Sequence, residues 1–274
     1  MLLQNLPLTG HHESAVRLSP LLHHAHVMPS RSRVDSTVSK KFHDSALVVH
    51  KGRIAAHVAH TGYHHFGTDQ LIKERYEWRG YQSVAPHGNH PGRKAFLASS
   101  GSVPLGTISI VLDSEVGLAA DGLYKTEIDQ YRQQGCRVCE MGKLAISLKE
   151  NSHEVVATLF NIAYIYTRVL NQSSDTFIEV NPRHVNFYRR LLGFEVAAEE
   201  RFCSRVSAPA ILLRLDLAHA ERQIEKLAAG NGAGGKTRSR SLYASFLPKQ
   251  EESRVIERCH EPTEREVERS LAFG

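Results

Sequence analysis

The segment that most constrains the fold is FIEVNPRHVNFYRRLLGF, residues 177–194. It begins as a short apolar strand, and an Asn-Pro pair then opens a helix. Pro182 suits the first helical position because it has no N–H to leave unpaired there, and Asn181 can cap the helix from the position before. Gly193 can adopt the left-handed conformation that ends a helix. The segment therefore predicts a strand–helix–strand unit.

The chain is long enough to bury a full hydrophobic core, since it has 274 residues and 41% of them are hydrophobic. No apolar run approaches the ~20 residues that cross a bilayer. The N-terminus, MLLQNLPLTGHHES, lacks the basic start and apolar core of a signal peptide. The four cysteines do not make a disulfide framework in a chain of this length. We therefore expect a cytoplasmic protein.

The charge of the chain favours an acidic partner without naming one. The formal net charge is +5 at pH 7, and the isoelectric point is about 9.0. An anionic lipid surface and an acidic carrier protein both fit this charge, as does nucleic acid. The basic run at residues 236–240 has no interleaved aromatic residues, which favours a solvated tail over a nucleic-acid site.

Composition divides the chain into three parts. Residues 1–44 show no sustained hydrophobic period and are predicted to be a flexible N-terminal extension. Residues 230–235, GNGAGG, read as a linker, and a charged segment follows them, so residues 230–274 are predicted to be a flexible C-terminal tail. Residues 45–229 are the predicted domain.

Hydrophobic periods alternate between strand and helix within this domain. The predicted order is β-α-β-β-α-β-α-β-α-β-β with a final helix at residues 219–227. This order predicts an α/β fold with one mixed central sheet and helices on both faces.

Glu140 is the strongest candidate for a catalytic residue. It lies in RVCEMGKLAISL, residues 137–148, which otherwise suits a central strand. An ionised carboxylate is costly in such a strand unless it is paired or used. Gly142, two residues on, can mark a bulge that re-aims its neighbours. The alternative is a structural ion pair of Glu140 with Lys143 or with an arginine from another element.

Two stretches resemble a known enzyme family. These are GTISIVLDSEVGLAADGLYKTEIDQYRQQGCRVCEMGKLAI and EVNPRHVNFYRRLLGF. They resemble the long-chain N-acyl amino acid synthases of the FeeM type, which are GNAT-fold relatives of the acyl-homoserine lactone synthases, and the resemblance covers residues 50–220. The lactone synthases carry a Glu-x-Ser-Arg motif where this chain has Glu140-Met141-Gly142-Lys143. The glutamate is kept, whereas the loss of Ser and Arg argues against a lactone synthase.

The resemblance implies an N-acyltransferase with a GNAT-like acyl-CoA N-acyltransferase fold. An amino-acid amine is protonated at neutral pH, so Glu140 would act as a base or would orient the amine, and a base is worth roughly 10²–10⁴-fold in rate. Tyr188 would protonate the leaving thiolate. The segment YRRLLGF is one residue longer than the usual YxxLGF. Arg189 therefore competes for that position, and packing in the core is the alternative use of Tyr188.

The acyl donor is predicted from a missing motif. GNAT enzymes that use coenzyme A usually carry a Gln/Arg-x-x-Gly-x-Gly/Ala loop whose N–H groups cradle the diphosphate. Residues 148–153, LKENSH, occupy that place and contain no glycine. The resemblance instead implies acyl carrier protein, which brings the acyl group on its 4′-phosphopantetheine, with no cofactor bound to the enzyme. Its acidic surface would meet basic residues, for which the candidates are Lys149, Arg183, Arg189 and Arg190. An ordinary solvated helix face is the alternative.

The acceptor site is assigned to three residues. Arg79, in KERYEWRGY, would bind the acceptor carboxylate bidentately, with a structural salt bridge as the alternative. Lys143 and Asn181 are further candidates for substrate binding. Phe160, Tyr164 and Ile110 are candidates for the wall of an apolar acyl tunnel.

We predict no metal site. Cys136 and Cys139 are three residues apart on a strand and so face opposite ways, and no second Cys-x-x-Cys exists. The histidines between residues 57 and 65 lack carboxylate or cysteine partners in a known order.

The sequence thus predicts transfer of a long-chain fatty acyl group from acyl carrier protein to the α-amine of an amino acid. Alternatives are a lactone synthase, a coenzyme A-dependent acetyltransferase and a non-catalytic GNAT-like module that binds a carrier protein or a membrane surface.

Overall fold

Eight strands in the described part of the chain form a single sheet. The computed structural model describes residues 47–77, 90, 92–147, 152–228 and 241–260. The strands are β1 (Val48–Lys51), β2 (Ile54–Val58), β3 (Arg93–Ser100), β4 (Val103–Leu112), β5 (Val138–Ile146), β6 (Asp175–Val180), β7 (Glu195–Cys203) and β8 (Ala208–Asp216). Their order across the sheet is β1-β2-β3-β4-β5-β6-β8-β7. Only β5 and β6 pair in parallel, so the sheet is mixed, as predicted.

Among the residues that the structure describes, six α-helices flank this sheet. They are α1 (Gly62–Glu77), α2 (Asp121–Gln133), α3 (Ser152–Tyr164), α4 (Val185–Leu192), α5 (Leu217–Ala228) and α6 (Lys249–His260). A π-helical turn, Ile165–Leu170, extends α3, and 3-10 turns lie at Pro182–His184 and Leu242–Ser245. No helix within the described ranges is both long and apolar enough to cross a membrane.

The helices cover both faces of the sheet. Val138 packs in a cluster with Tyr124 and Ile128 of α2, whereas its neighbour Cys139 packs in the larger cluster that contains α3. Successive strand residues point to opposite faces, so α2 and α3 lie on opposite sides. Leu71 and Ile72 of α1 pack on the α2 side, against Leu97 and Ala145. The prediction of helices on both faces is confirmed.

Strands β5 and β6 separate after three rungs. The pairs are Val138↔Asp175, Cys139↔Thr176 and Glu140↔Phe177, although β5 continues to Ile146 and β6 to Val180. The two strands therefore splay apart beyond Glu140. Beyond the last rung, the backbone N–H and C=O groups on the facing edges of β5 and β6 do not pair between the two strands and can bind a ligand.

A bulge interrupts β5 beyond this point. Ser109 pairs with Gly142, but Thr107 pairs with Ala145, so β5 holds one extra residue. Lys143 lies within this bulge and has a left-handed φ of +50°. The bulge is where Gly142 predicted it, and it turns Lys143 out of the regular alternation.

The strand–helix–strand unit at residues 177–194 is confirmed in detail. The Arg183 N–H donates to Asn181 Oδ1 at 3.3 Å, and Pro182 occupies the first helical turn. Gly193 ends α4 with φ +77°. The predicted helix consists of a 3-10 turn followed by α4.

The prediction of a flexible tail from residue 230 is wrong for residues 241–260. Leu242, Tyr243, Phe246 and Leu247 are all buried in the large core cluster. The Tyr243 hydroxyl donates to the Leu192 carbonyl at 2.7 Å, and the Leu247 N–H donates to Asn161 Oδ1 at 2.9 Å. The segment folds because its apolar side chains cover exposed edges of α3, α4 and α5. The predicted N-terminal extension lies outside the described residues.

Candidate active site

Glu140 lies on the last rung that joins β5 to β6, where the two strands begin to separate. Its side chain is buried, with 8% of the residue exposed, and Oε2 accepts a hydrogen bond from the Ala120 N–H at 2.9 Å. Burial raises the pKa of the carboxyl above its ordinary value, and the Ala120 N–H and the charges of Arg93 and Arg205 oppose that rise. The carboxylate is thus held in place beside the splay and is made more basic.

The guanidinium of Arg132 fixes the loop that supplies the Ala120 N–H. Arg132 of α2 donates Nε and Nη2 to Asp113 at 2.8 Å each, and Nη1 and Nη2 to Asp121 at 2.8 and 2.7 Å. Asp121 Oδ2 also accepts from the Leu118 N–H at 2.7 Å. Bidentate pairs of this kind set orientation as well as energy. The loop between β4 and α2 therefore presents the Ala120 N–H in one position.

Arg93 and Glu140 belong to one row of side chains across the sheet. The rungs run Arg93↔Val111, Val111↔Glu140 and Glu140↔Phe177. Paired residues point to the same face, so Arg93 lies two strands from Glu140 on the α2 side. Burial lowers the pKa of Arg93, and the charge of Glu140 opposes that shift.

Glu179 is another carboxylate on this face, two residues beyond Phe177 and past the last rung, and 14% of its side chain is exposed. Arg205, from the turn between β7 and β8, donates to its Oε2. Its Oε1 is buried without a hydrogen-bond partner among the described residues. Burial, together with the negative charge of Glu140, raises the pKa of Glu179 to about 7, while Arg205 opposes the rise.

Sequence analysis missed Glu179, Arg93 and Arg205. Like Glu140, Glu179 is a carboxylate inside an apolar strand. Sequence analysis of residues 177–194 relied on the helix that follows this strand and did not consider Glu179. Arg93 begins a strand and Arg205 lies in a turn, where a basic residue is ordinary.

Lys143 lies close enough to this cluster for the charges to interact. Its side chain is half-buried, and burial together with the charge of Arg93 lowers the pKa of its ammonium to about 8. Asp69 of α1 and Glu140 act in the opposite direction. The structure thus brings together Glu140 and Lys143, both predicted as site residues.

Two other predicted residues have structural contacts of their own. The Tyr188 ring lies in a group of aromatic rings, with centroid distances of 5.1 Å to Phe187, 5.8 Å to Phe194 and 6.3 Å to Phe160. Asn181 caps the turn that follows it and donates Nδ2 to the Pro209 carbonyl at 3.3 Å. Their roles in catalysis and substrate binding stay predictions.

The residues predicted to bind a carrier protein fall in two groups. Arg183, Arg189 and Arg190 are exposed and lie on the 3-10 turn and on α4, within eight residues of one another. Lys149 lies outside the described residues, as does Arg79, the residue assigned to the acceptor carboxylate. The tunnel candidates Ile110, Phe160 and Tyr164 are all buried in the core cluster on the α3 side.

Cys139, the cysteine next to Glu140 in the chain, does not offer a nucleophile to this site. It is free, but it points to the opposite face of the sheet, where burial raises the pKa of its thiol to about 12. A thiol in this state is inert at neutral pH.

The histidines near α1 form a pair. The rings of His57 and His64 lie 4.3 Å apart, and burial with the nearby histidine charges lowers the pKa of His57 to about 4. Within the described ranges, no group of three or more His, Cys, Asp or Glu side chains is arranged to hold a metal ion.

Comparison with known proteins gives the family. The family described as N-acyl amino acid synthase FeeM matches residues 67–216, more than half of the chain. The solved structure of FeeM, an N-acyl amino acid synthase from uncultured soil microbes, is 27% identical with a TM-score of 0.56. The match covers 62% of this chain and 94% of that one. Among curated proteins, none matches significantly.

Two further structures are similar at lower identity. An acyl-CoA N-acyltransferase from Pseudomonas aeruginosa is 16% identical, with a TM-score of 0.43 over 59% of this chain and 97% of its own. The AHL synthase LasI is 14% identical, with a TM-score of 0.43 over 60% and 90%. The family match and the FeeM structure confirm both the predicted fold and the resemblance. The chain belongs to the FeeM N-acyl amino acid synthase family and has the fold of the GNAT acyltransferases.

Proposed function

We propose that the protein transfers a long-chain fatty acyl group from acyl carrier protein to the α-amine of an amino acid. The observation that carries this proposal is Glu140, a buried carboxylate of raised pKa at the start of the β5–β6 splay. An ammonium held there can lose its proton to Glu140, and the free amine can then attack a thioester placed between the strands.

The reaction needs no covalent enzyme intermediate. The amine nitrogen forms a bond to the thioester carbonyl carbon, the carbon–sulfur bond breaks, and the pantetheine thiolate leaves. The nitrogen loses a second proton as the amide forms, and this proton balances the one that the thiolate takes up; Tyr188 is the candidate that donates to the sulfur and is then reprotonated. The inert state of the Cys139 thiol supports direct attack, because the thiol next to Glu140 in the chain offers no acyl acceptor.

Two features support acyl carrier protein as the donor. Residues 148–153, LKENSH, contain no glycine for a diphosphate cradle. Arg183, Arg189 and Arg190 form an exposed basic group next to the splay-bearing strand β6, which suits an acidic protein partner.

The test is acylation by the purified protein with the same acyl group presented on acyl carrier protein or on coenzyme A. We expect N-acyl amino acid, detected by mass spectrometry, and a higher kcat/KM with the carrier protein. That preference should shrink as salt rises from about 50 to 500 mM, because salt screens charge attraction. Equal kcat/KM for both donors at every salt concentration would contradict the donor assignment. Absence of acylated product from any amino acid would contradict the acceptor assignment.

A further inference from the structure

Two buried polar atoms on the strands that flank Glu140 have no hydrogen-bond partner among the described residues. They are Arg93 Nε and Glu179 Oε1. Unsatisfied buried groups are rare in folded proteins, and each one calls for an explanation. Here one is a donor on a cation and the other is an acceptor on an acid.

The two side chains lie on either side of Glu140. Arg93 belongs to the row of paired residues that contains Glu140, two strands away, and Glu179 lies on the next strand in the other direction. The charges of Arg93, Glu140, Glu179 and Arg205 act on one another. The cluster therefore presents Arg93 on one side of Glu140 and, on the other side, Glu179, whose Oε2 is paired with Arg205 and whose Oε1 is not paired.

This order of charges matches one class of ligand. An α-amino acid at neutral pH carries a carboxylate and an ammonium on the same carbon. A guanidinium binds a carboxylate through two parallel hydrogen bonds, and a carboxylate accepts from an ammonium. A simple amine would leave the Arg93 donor unpaired, and a fatty acid would leave the Glu179 acceptor unpaired.

We propose that Arg93 binds the α-carboxylate of the acceptor and that Glu179, beside Glu140, binds its ammonium. This inference rests on the proposed function, because it takes an amino acid as the acceptor. Glu179 holds the ammonium, while Glu140 takes the proton from it. Arg205 is a positioning residue, since its guanidinium already bonds the other oxygen of Glu179.

The first experiment compares an amino acid with the amine that remains when its carboxylate is removed. The wild-type protein should favour the amino acid by about 10- to 100-fold in kcat/KM, the size expected of a charge-assisted pair. Arg93→Met should reduce this ratio to near one. Arg93→Lys retains the positive charge beside Glu140, so it should fold and keep part of the ratio. Arg222→Gln, an exposed arginine on α5, is the matched control and should keep all of it.

The second experiment concerns Glu179. Glu179→Gln should raise the KM for the amino acid about tenfold and leave the KM for the acyl donor unchanged, since only the acceptor loses a charged partner. Glu195→Gln, at an exposed glutamate on β7, should change neither. A purely structural Glu179 would change both constants together or only the melting temperature.

Failure of this site and failure of the proposed function give different results. If the wild-type protein acylates amino acids and decarboxylated amines equally well, the site is wrong and acyl transfer stands. If no acceptor is acylated, the proposed function is wrong. Calorimetric measurement of amino-acid binding, without acyl donor, still tests the site. Wild-type binding of an amino acid, weakened about tenfold or more in Arg93→Met and Glu179→Gln, supports the site. Equal binding by all three proteins, or no binding by the wild type, overturns it.

Discussion

A catalytic base must be both positioned and basic, and Glu140 meets both conditions by physical means. The Ala120 N–H fixes one of its oxygens at 2.9 Å, and burial raises its pKa. The hydrogen bond alone would lower the basicity of the carboxylate, and burial alone would leave it loosely placed. Burial is the larger influence, so the net effect is a held and more basic group.

Glu140→Gln should lower kcat by about 10²–10⁴-fold, because it keeps size and hydrogen bonding but removes the basic lone pair. The melting temperature should stay the same or rise, since a neutral amide costs less to bury than a carboxylate. Steady-state acylation rates and thermal melting measure the two effects. A variant that keeps more than about half of the wild-type rate would exclude Glu140 as the base.

Glu179 makes the stability of the protein depend on pH. Its pKa lies near 7 in the folded protein and near 4.5 as an ordinary carboxyl. Its contribution to stability is therefore full below pH 4.5 and is lost as the pH rises toward 7, because only the unfolded chain releases the proton in that window.

Glu179→Gln should remove this dependence. Relative to the wild type, the variant should gain about 1–3 kcal/mol of unfolding free energy between pH 4.5 and 7 and then change little. Urea unfolding at four pH values between 4.5 and 8 measures this difference. Glu140 shifts in the same direction and is present in both proteins, so only the part of its shift that depends on the charge of Glu179 enters the difference. Parallel curves for variant and wild type would show that the folded carboxyl titrates normally.

Single residues were predictable where a side chain is costly for its element. Glu140 stands out in an apolar strand, and Asn181 and Gly193 stand out at helix ends. Arg93 and Arg205 do not stand out, because the orphaned Nε and the contact to Glu179 arise only when β3, β6 and the β7–β8 turn meet. Such juxtapositions depend on tertiary structure and leave no local signal.

The loop between β4 and α2 is the element on which the site depends. Gly117 has φ +77°, and a Cβ at this position would overlap Asp121 Oδ2. That oxygen cannot easily move, because the Leu118 N–H and Arg132 both donate to it. The geometry of Gly117 is thus linked to the Ala120 N–H through the same carboxylate.

Gly117→Ala should lower both stability and kcat. The left-handed φ alone costs about 1–2 kcal/mol for a residue with a Cβ. Gly135→Ala is a matched control, because its φ is +79° and nothing lies within 4 Å of its added Cβ. Both variants should lose similar stability from φ, but only Gly117→Ala should also lose activity, as its loop shifts away from Glu140. Equal kcat in the two variants would separate the loop from catalysis.

Elements with strong local signals were predicted and weaker ones were not. The bulge follows from Gly142, whereas β1 was missed because it has only four residues at the edge of the sheet. The segment 241–260 was missed because a glycine-rich linker precedes it and its apolar residues are few. Their partners on α3, α4 and α5 supply the rest of the buried surface.

At the scale of the whole molecule, the two faces of the sheet have different tasks. The α2 side carries the charged cluster, and the α3 side carries the large apolar core. Residues 241–260 belong entirely to the second face, where Leu242 is 0% exposed and Cys259 is also 0% exposed. The C-terminal segment therefore supports the sheet from behind the site.

Shortening the chain tests this division of tasks. A protein that ends at residue 229 loses four buried apolar side chains of the 241–247 segment, each of which contributes about 1.5–3 kcal/mol. Since whole domains are stable by only about 5–15 kcal/mol, this protein should aggregate or fail to melt cooperatively. A protein that ends at residue 260 keeps every described residue and should melt like the full chain and acylate its substrate.

Leu242→Ala is the milder form of the same test, because it should cost about 2–5 kcal/mol without removing the backbone contacts around it. The lost stability should appear in urea unfolding, while KM for the amino acid stays unchanged because the charged cluster lies on the other face of the sheet.

Limited proteolysis of the full chain should leave residues 241–260 protected, because their hydrogen bonds to Leu192 and Asn161 hold them on the core. A shortened protein ending at residue 229 that melts cooperatively within a few degrees of the full chain and remains active would show that this packing adds nothing to the fold.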